Sequence, residues 1–336
     1  MEDYMHVYGL LDTSIRTCNQ GDYIIVESVK RELAKCLDNS FVLELPTHAP
    51  IMRPGEFGFR PEGNSDYCAL KQMDCAFLCG TNLIAHDITS KWNQWNIQEN
   101  DLSVLGGKVI SVGVGSAPGF SSFSRRASKL YSAVFSKSFI HSARDERTKL
   151  LLESCGLRAL NTGCVTMWML TKEHCDAIPC NKSSVAVATL TDYKRDPDHD
   201  TQLLDLLLEL YEKVYLWIQG IGDFAYVNDL GFADKIELIA PNLNAYNSFL
   251  NHVDCDYVGT RLHAGIKAMQ KTKRSIILGV DNRSFDISRT YGINYVPRDD
   301  IDALKRKITG KFETSIGINE LAVTEFLSQF EGMSVV

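Results

Sequence analysis

The chain has 336 residues, 45% hydrophobic and 23% charged, with a formal net charge of −7. Those proportions exclude a disordered, collagenous or coiled-coil chain and suggest about two domains of roughly 150 residues each. The acidic total excludes a general electrostatic grip on nucleic acid but leaves room for a local cationic pocket.

The first residues, Met1-Glu2-Asp3-Tyr4, lack the basic and apolar regions of a secretion signal. No run approaches the ~18 apolar residues of a membrane span, so a cytoplasmic protein without an integral membrane segment is expected. Ten cysteines are scattered singly and read as reduced, mostly buried thiols. His174, Cys175 and Cys180 lie close together, but no second cluster stands at metal spacing, and no metal is expected.

In chain order, Cys18-Asn19-Gln20-Gly21-Asp22 forms a polar turn before a helix over residues 23–37. Ile25, Val29, Leu33 and Leu37 give that helix an i, i+4 apolar row, and Asp22 is suited to cap it. Short apolar runs predict strands over 41–45, 75–79, 109–114 and 138–141, with helices over 124–136 and 145–154. Gly156 stops the second of these helices. The alternation pauses between residues 166 and 184. Strands resume over 185–189, 214–219, 235–239, 255–258 and 275–278, with a leucine-rich helix over 200–211 and a terminal helix over 319–330. Continuous apolar strands alternating with amphipathic helices predict parallel, doubly wound α/β sheets. The expected domains are 1–180 and 181–316, two Rossmann-like halves facing across a cleft, followed by a C-terminal helix over 317–336. Ligands of such folds sit beyond the carboxyl ends of the strands.

The sharpest motif is Asp256-Tyr257-Val258-Gly259-Thr260-Arg261-Leu262-His263-Ala264-Gly265, a strand, a glycine turn and a helix start. A helix N-terminus favours an anion, and Arg261 adds a planar cation matched to phosphate or carboxylate. His263 can donate a proton or a hydrogen bond. Ala264 and Gly265 let the helix approach a ligand or the next strand closely. The bland alternative is a surface ion pair for Arg261 and a satisfied structural His263.

A second strand-to-helix junction reads Ser142-Ala143-Arg144-Asp145-Glu146. Ser142 is suited to cap the helix. Arg144 is out of place at a helix N-terminus unless an anion is near, which makes it a candidate ligand clamp. Gly80 and the Gly113-x-Gly115 pair end two further strands, where backbone can approach a ligand. Gly113-x-Gly115 lacks the third glycine of a dinucleotide fingerprint, and no Walker sequence occurs.

In this order and spacing the motifs resemble the polysaccharide pyruvyl transferase family from about Asn19 to Arg283. The resemblance rests on Asn19-x-Gly21-Asp22, Gly80, Gly113–Gly115, Ser142-x-Arg144-Asp145, Thr162-Gly163-Cys164, Gly259-Thr260-Arg261-Leu262-His263-Ala264 and Asp281-x-Arg283. Gly80 is followed by Thr81 and Asn82 where the family often has a glycine run, and no Asp-Pro stands near Cys164. The family implies a fold similar to the GT-B glycosyltransferases. It also implies transfer of pyruvate from phosphoenolpyruvate to two hydroxyls of a sugar, giving a cyclic ketal. On that reading the N-terminal half serves the acceptor and the C-terminal half the donor, and the donor-site arginine and the Arg-Leu-His motif fall on Arg144 and on Arg261, Leu262 and His263. Asn19, Gly21, Ser142, Gly80, Gly115 and Arg283 join the expected substrate contacts, and Asp22 is the candidate base. No cofactor is expected, since phosphoenolpyruvate enters as co-substrate. The expected partners are phosphoenolpyruvate and a sugar acceptor, free or lipid-linked, with peripheral membrane association in the second case and no nucleic acid.

The chief alternative is a GT-B glycosyltransferase or nucleotide-sugar epimerase, which also binds a diphosphate at a helix start. Against it, residues 267–270 carry no acid to hold a nucleotide ribose. A non-catalytic sugar-binding protein is the third reading. Trp92 and Trp95 lie on loops suited to an acceptor, where an indole face stacks on sugar or simply packs.

Overall fold

The structure is a computed structural model describing residues 5–52, 65–89, 93–280 and 282–331. It is mixed α/β with parallel sheets, as the alternation predicts. Two compact units divide the chain. One comprises Met1–Thr17, Ile25–Trp168 and Asn319–Val336, and the other Cys18–Ile24 and Met169–Ile318.

The first unit contains β1 (Val7–Asp12), β2 (Phe41–Pro46), β3 (Cys75–Cys79), β4 (Asn82–Ile84), β5 (Val109–Val112), β6 (Gly115–Ser116), β7 (Ile140–Ala143) and β8 (Arg158–Asn161). A four-stranded sheet runs β2-β1-β3-β5, and β4–β6 and β7–β8 form two further pairs, all parallel. Every residue of β3 and β5 is buried, which explains their apolar sequence, broken only by Ser111 in β5. On one face Trp95 packs 6.0 Å from the ring of Tyr131 and 5.5 Å from Phe135. Trp95 is therefore core rather than sugar platform, while Trp92 lies outside the described residues. On the other face Tyr8 packs on Phe77, Phe77 meets Phe330, and Phe326 packs on Trp168. The terminal helix, Glu320–Ser328, thus completes this unit's core.

The second unit contains β9 (Val185–Thr189), β10 (Lys213–Trp217), β11 (Glu237–Ile239), β12 (Asp256–Gly259), β13 (Ser275–Gly279) and β14 (Tyr295–Pro297). They form one parallel sheet ordered β11-β10-β9-β12-β13-β14. The order reverses between β9 and β12, as in dinucleotide-binding halves, and a crevice opens at such a reversal beyond the carboxyl ends. Buried ion pairs stiffen this unit. Arg274 binds Asp256 at 2.7 Å and caps the helix Ile301–Thr309 by donating to the carbonyls of Lys307, Ile308 and Gly310. Arg298 pairs with Asp200, which also accepts from Tyr226 at 2.6 Å.

Local starts differ from the sequence expectation in two places. The first long helix runs Gln20–Glu32 and a separate turn Ala34–Leu37 follows, because Asn19 Oδ1 accepts from Gly21 N–H and starts the helix ahead of Asp22. Asp22 lies in the first turn and is not the cap. The helix Glu146–Glu153 is capped by Asp145, which accepts from Thr148 N–H at 2.8 Å, and not by Ser142. All ten cysteines are free, and His174 and Cys175 bond the carbonyls of Met269 and Leu170. Among the described residues no helix is long and apolar enough to cross a membrane.

Candidate functional site

In the second unit, the loops after β9, β10 and β12 converge on Arg261. This residue is only 5% exposed. Its Nε donates to Leu190 O at 2.9 Å, and its Nη2 donates to Asp192 Oδ1 at 2.8 Å and Asp223 Oδ1 at 2.5 Å. The Tyr193 ring lies 5.1 Å from the guanidinium carbon. Two carboxylates on one guanidinium make the group formally anionic, so Arg261 is not the open clamp that the motif suggests. Among the described residues its Nη1 has no hydrogen-bond partner, and that nitrogen is what remains for a ligand. Burial pushes the Asp223 carboxyl up from its ordinary value, against the pull of Arg261 and the Gly220 amide.

The backbone under Arg261 is set by hydroxyls. Tyr257 Oη donates to Arg261 O at 2.7 Å and pairs with Thr189 Oγ1 at 2.6 Å, while Thr260 pairs with Thr191 at 2.8 Å. Arg261 then leads into the helix Leu262–Gln270, which has no side-chain cap. An uncapped first turn leaves amides for an anion. Leu262 and His263 occupy that turn half-buried. Gly265 serves strand packing rather than a ligand, since a Cβ there would lie 2.0 Å from Ile277 Cδ1.

The turn at Asn19 belongs to this same unit, which differs from its expected place in the N-terminal half. Gln20 N–H donates to Gln219 O at 2.9 Å, Gln219 Nε2 donates to Asn19 Oδ1 at 2.9 Å, and Gln20 Oε1 accepts from Leu243 N–H. Gly21 packs under Gln219, and Asp22 follows half-buried.

In the first unit, Arg144 lies half-buried beyond β7, its backbone N–H donating to Val114 O at 2.8 Å and its Nη2 to Asn82 Oδ1. Its guanidinium rests on Gly115, where a Cβ would lie 2.5 Å from Nη2. Gly115 is therefore the floor of the Arg144 site. Gly80 instead abuts the Gly113 carbonyl and serves packing. Ser142 is wholly buried. Its hydroxyl accepts from Gly113 N–H at 2.7 Å and pairs with Thr162 Oγ1 at 2.6 Å, so it holds the turn and is not presented to a ligand. Arg283 falls within the helix Asn282–Tyr291, and its side chain lies outside the described residues.

Sequence reasoning missed Asp192, Asp223 and Asn82. Asp223 closes Gly220-x-Gly222-Asp223, a glycine–acid turn after an apolar strand, and that was a readable signal. Asp192 and Asn82 carried none.

Two units built on parallel sheets, with a buried Arg and a neighbouring His at a strand-to-helix junction, define a mixed α/β protein. The polysaccharide pyruvyl transferase family matches residues 19–282, and the chain belongs to that family. Among curated proteins no sequence matches it. Similar solved structures include the UDP-GlcNAc 2-epimerase of Methanocaldococcus jannaschii, at 11% identity over 98% of this chain and 100% of that one, with a TM-score of 0.49. MnaA of S. aureus, solved with UDP, is 10% identical over 99% and 97%, with a TM-score of 0.46. E. coli heptosyltransferase WaaC is 11% identical over 98% and 99%, with a TM-score of 0.34.

Proposed function

We propose that this chain transfers pyruvate from phosphoenolpyruvate to two hydroxyls of a sugar, forming a cyclic ketal and releasing phosphate. The acceptor is a polysaccharide or a lipid-linked oligosaccharide, met in the cytoplasm or at the inner membrane face. The observation that carries the reading is Arg261 with His263 at the start of the helix Leu262–Gln270, beside the reversal between β9 and β12. Phosphoenolpyruvate is a small trianion, and this position offers helix-start amides, one guanidinium nitrogen and an imidazole to it.

The chemistry assigns the roles. A proton delivered to C3 of the enol leaves oxocarbenium character at C2. One sugar hydroxyl attacks C2, phosphate leaves with the C2–O bond pair, and the second hydroxyl closes the ring. His263 is the proton donor or phosphate ligand, and Asp22 the base that takes a hydroxyl proton. In the first unit, Arg144 is the candidate for a cationic contact to substrate.

Phosphate release from phosphoenolpyruvate, measured against a panel of free and lipid-linked oligosaccharides, tests the reading. We expect acceptor-dependent release that is lost in His263→Ala. Turnover of nucleotide sugars with none of phosphoenolpyruvate would overturn it in favour of glycosyl transfer or epimerisation.

A further inference from the structure

We propose that Asp223 is a positioning residue for Arg261, fixing the guanidinium so that its Nη1 is the nitrogen offered to the donor. The inference rests on the donor reading of Arg261 and assigns a role to a residue outside the motif that carries the resemblance.

Asp223 opens the helix Asp223–Asp229 and is 0% exposed, so it cannot touch a ligand itself. Both carboxylate oxygens are committed. Oδ2 accepts from Gln219 N–H at 3.1 Å and Gly220 N–H at 2.7 Å, and Oδ1 accepts from Asp192 N–H at 3.2 Å and Arg261 Nη2. One side chain thereby ties the loops after β9, β10 and β12 to a single guanidinium. With Nε held by Leu190 O, the guanidinium plane has two fixed points and cannot turn. Gly220 closes the remaining space, because a Cβ there would lie 2.4 Å from Nη2. Four donors need four lone pairs, which only a carboxylate supplies. Asparagine would set an NH2 against backbone amides or against the guanidinium.

A purely structural aspartate and a positioning one differ in a double-mutant cycle. Asp223→Asn is made in the wild-type and Arg261→Lys proteins, and the KM for phosphoenolpyruvate and kcat are measured in each. Lysine has no fork to orient. We expect KM to rise about tenfold in the wild-type background, with kcat moving less, and to change by under about twofold in the Arg261→Lys background. The same factor in both backgrounds overturns the proposal. Should Asp223→Asn not fold, Gly220→Ala enters the same cycle, since its methyl meets Nη2 at 2.4 Å and so displaces it further than Asp223 Oδ1, met at 3.1 Å. If the wild-type protein turns over no phosphoenolpyruvate, the donor reading fails on its own. The cycle is then read by calorimetric binding of inorganic phosphate, where equal affinities in wild type and Asp223→Asn, or no binding at all, overturn the positioning role as well.

Discussion

Arg144 and Arg261 both follow a buried parallel strand and precede a helix, yet their surroundings differ. Arg144 is half-buried on the bare backbone of Gly115 with a neutral Asn82 at its tip. Arg261 is almost fully buried between Asp192 and Asp223. The Arg261 charge is matched from within by those two carboxylates. A buried guanidinium needs such partners, because desolvation of an unmatched charge costs several kcal/mol. The carboxylates around Arg261 therefore give it a part in the integrity of its unit besides its proposed part in binding.

Replacing each arginine separately breaks the comparison most sharply. Arg261→Ala strands the Asp223 carboxylate, and we expect a loss of about 3–5 kcal/mol in denaturant unfolding together with loss of activity. Arg144→Ala should abolish activity while moving stability by less than about 1 kcal/mol. Equal stability losses would erase the distinction.

A second contrast is in pH. His141 is fully buried in β7, with Nδ1 accepting from Ser111 N–H and Nε2–H donating to Ser136 O. Burial lowers its pKa from 6.5 to about 4. The unfolded chain therefore binds this proton at higher pH than the folded one does, and folding loses stability as pH falls from 6.5 towards 4. The shift is worth at most about 3 kcal/mol, an effect that His141→Gln should flatten in pH-dependent unfolding curves.

Smaller still is the effect of Gly115→Ala. Its methyl meets the mobile end of Arg144, not backbone, so the fold should lose under about 1 kcal/mol while the KM for phosphoenolpyruvate rises several-fold. Asn82→Ala should do least. It removes one hydrogen bond from the half-buried Arg144 guanidinium, worth about 1 kcal/mol, and is expected to raise that KM no more than about twofold.

The alternating pattern made the central strands β3 and β9 readable at their true bounds and β13 to within one residue, because strands buried on both faces are continuously apolar. The missed strands lack that signature. β1 carries Gly9, required where a Cβ would lie 2.7 Å from Met73 Sδ, and β6 is only Gly115–Ser116. β8 begins on the exposed Arg158, and β14 is three residues ending in proline. Of the candidate site, Arg261 and His263 were legible because strand, glycine and helix start are contiguous. The partners of Arg261 were not, since Asp192 and Asp223 lie 69 and 38 residues away in sequence. Ser142 misled for the reverse reason, as a capping residue type whose hydroxyl is used by Thr162 and Gly113.

The terminal helix has a consequence for biosynthesis. Val323, Phe326 and Phe330 fill the core that Tyr8 and Phe77 begin, and the main part of the second unit, Met169–Ile318, lies between them in the chain. At about 5–20 residues per second, a ribosome exposes the N-terminal sheet many seconds before its final hydrophobic layer exists. The second unit can finish folding while the first still waits with an open apolar face. In the cell that interval, rather than the equilibrium stability of either unit, would set the demand for a chaperone.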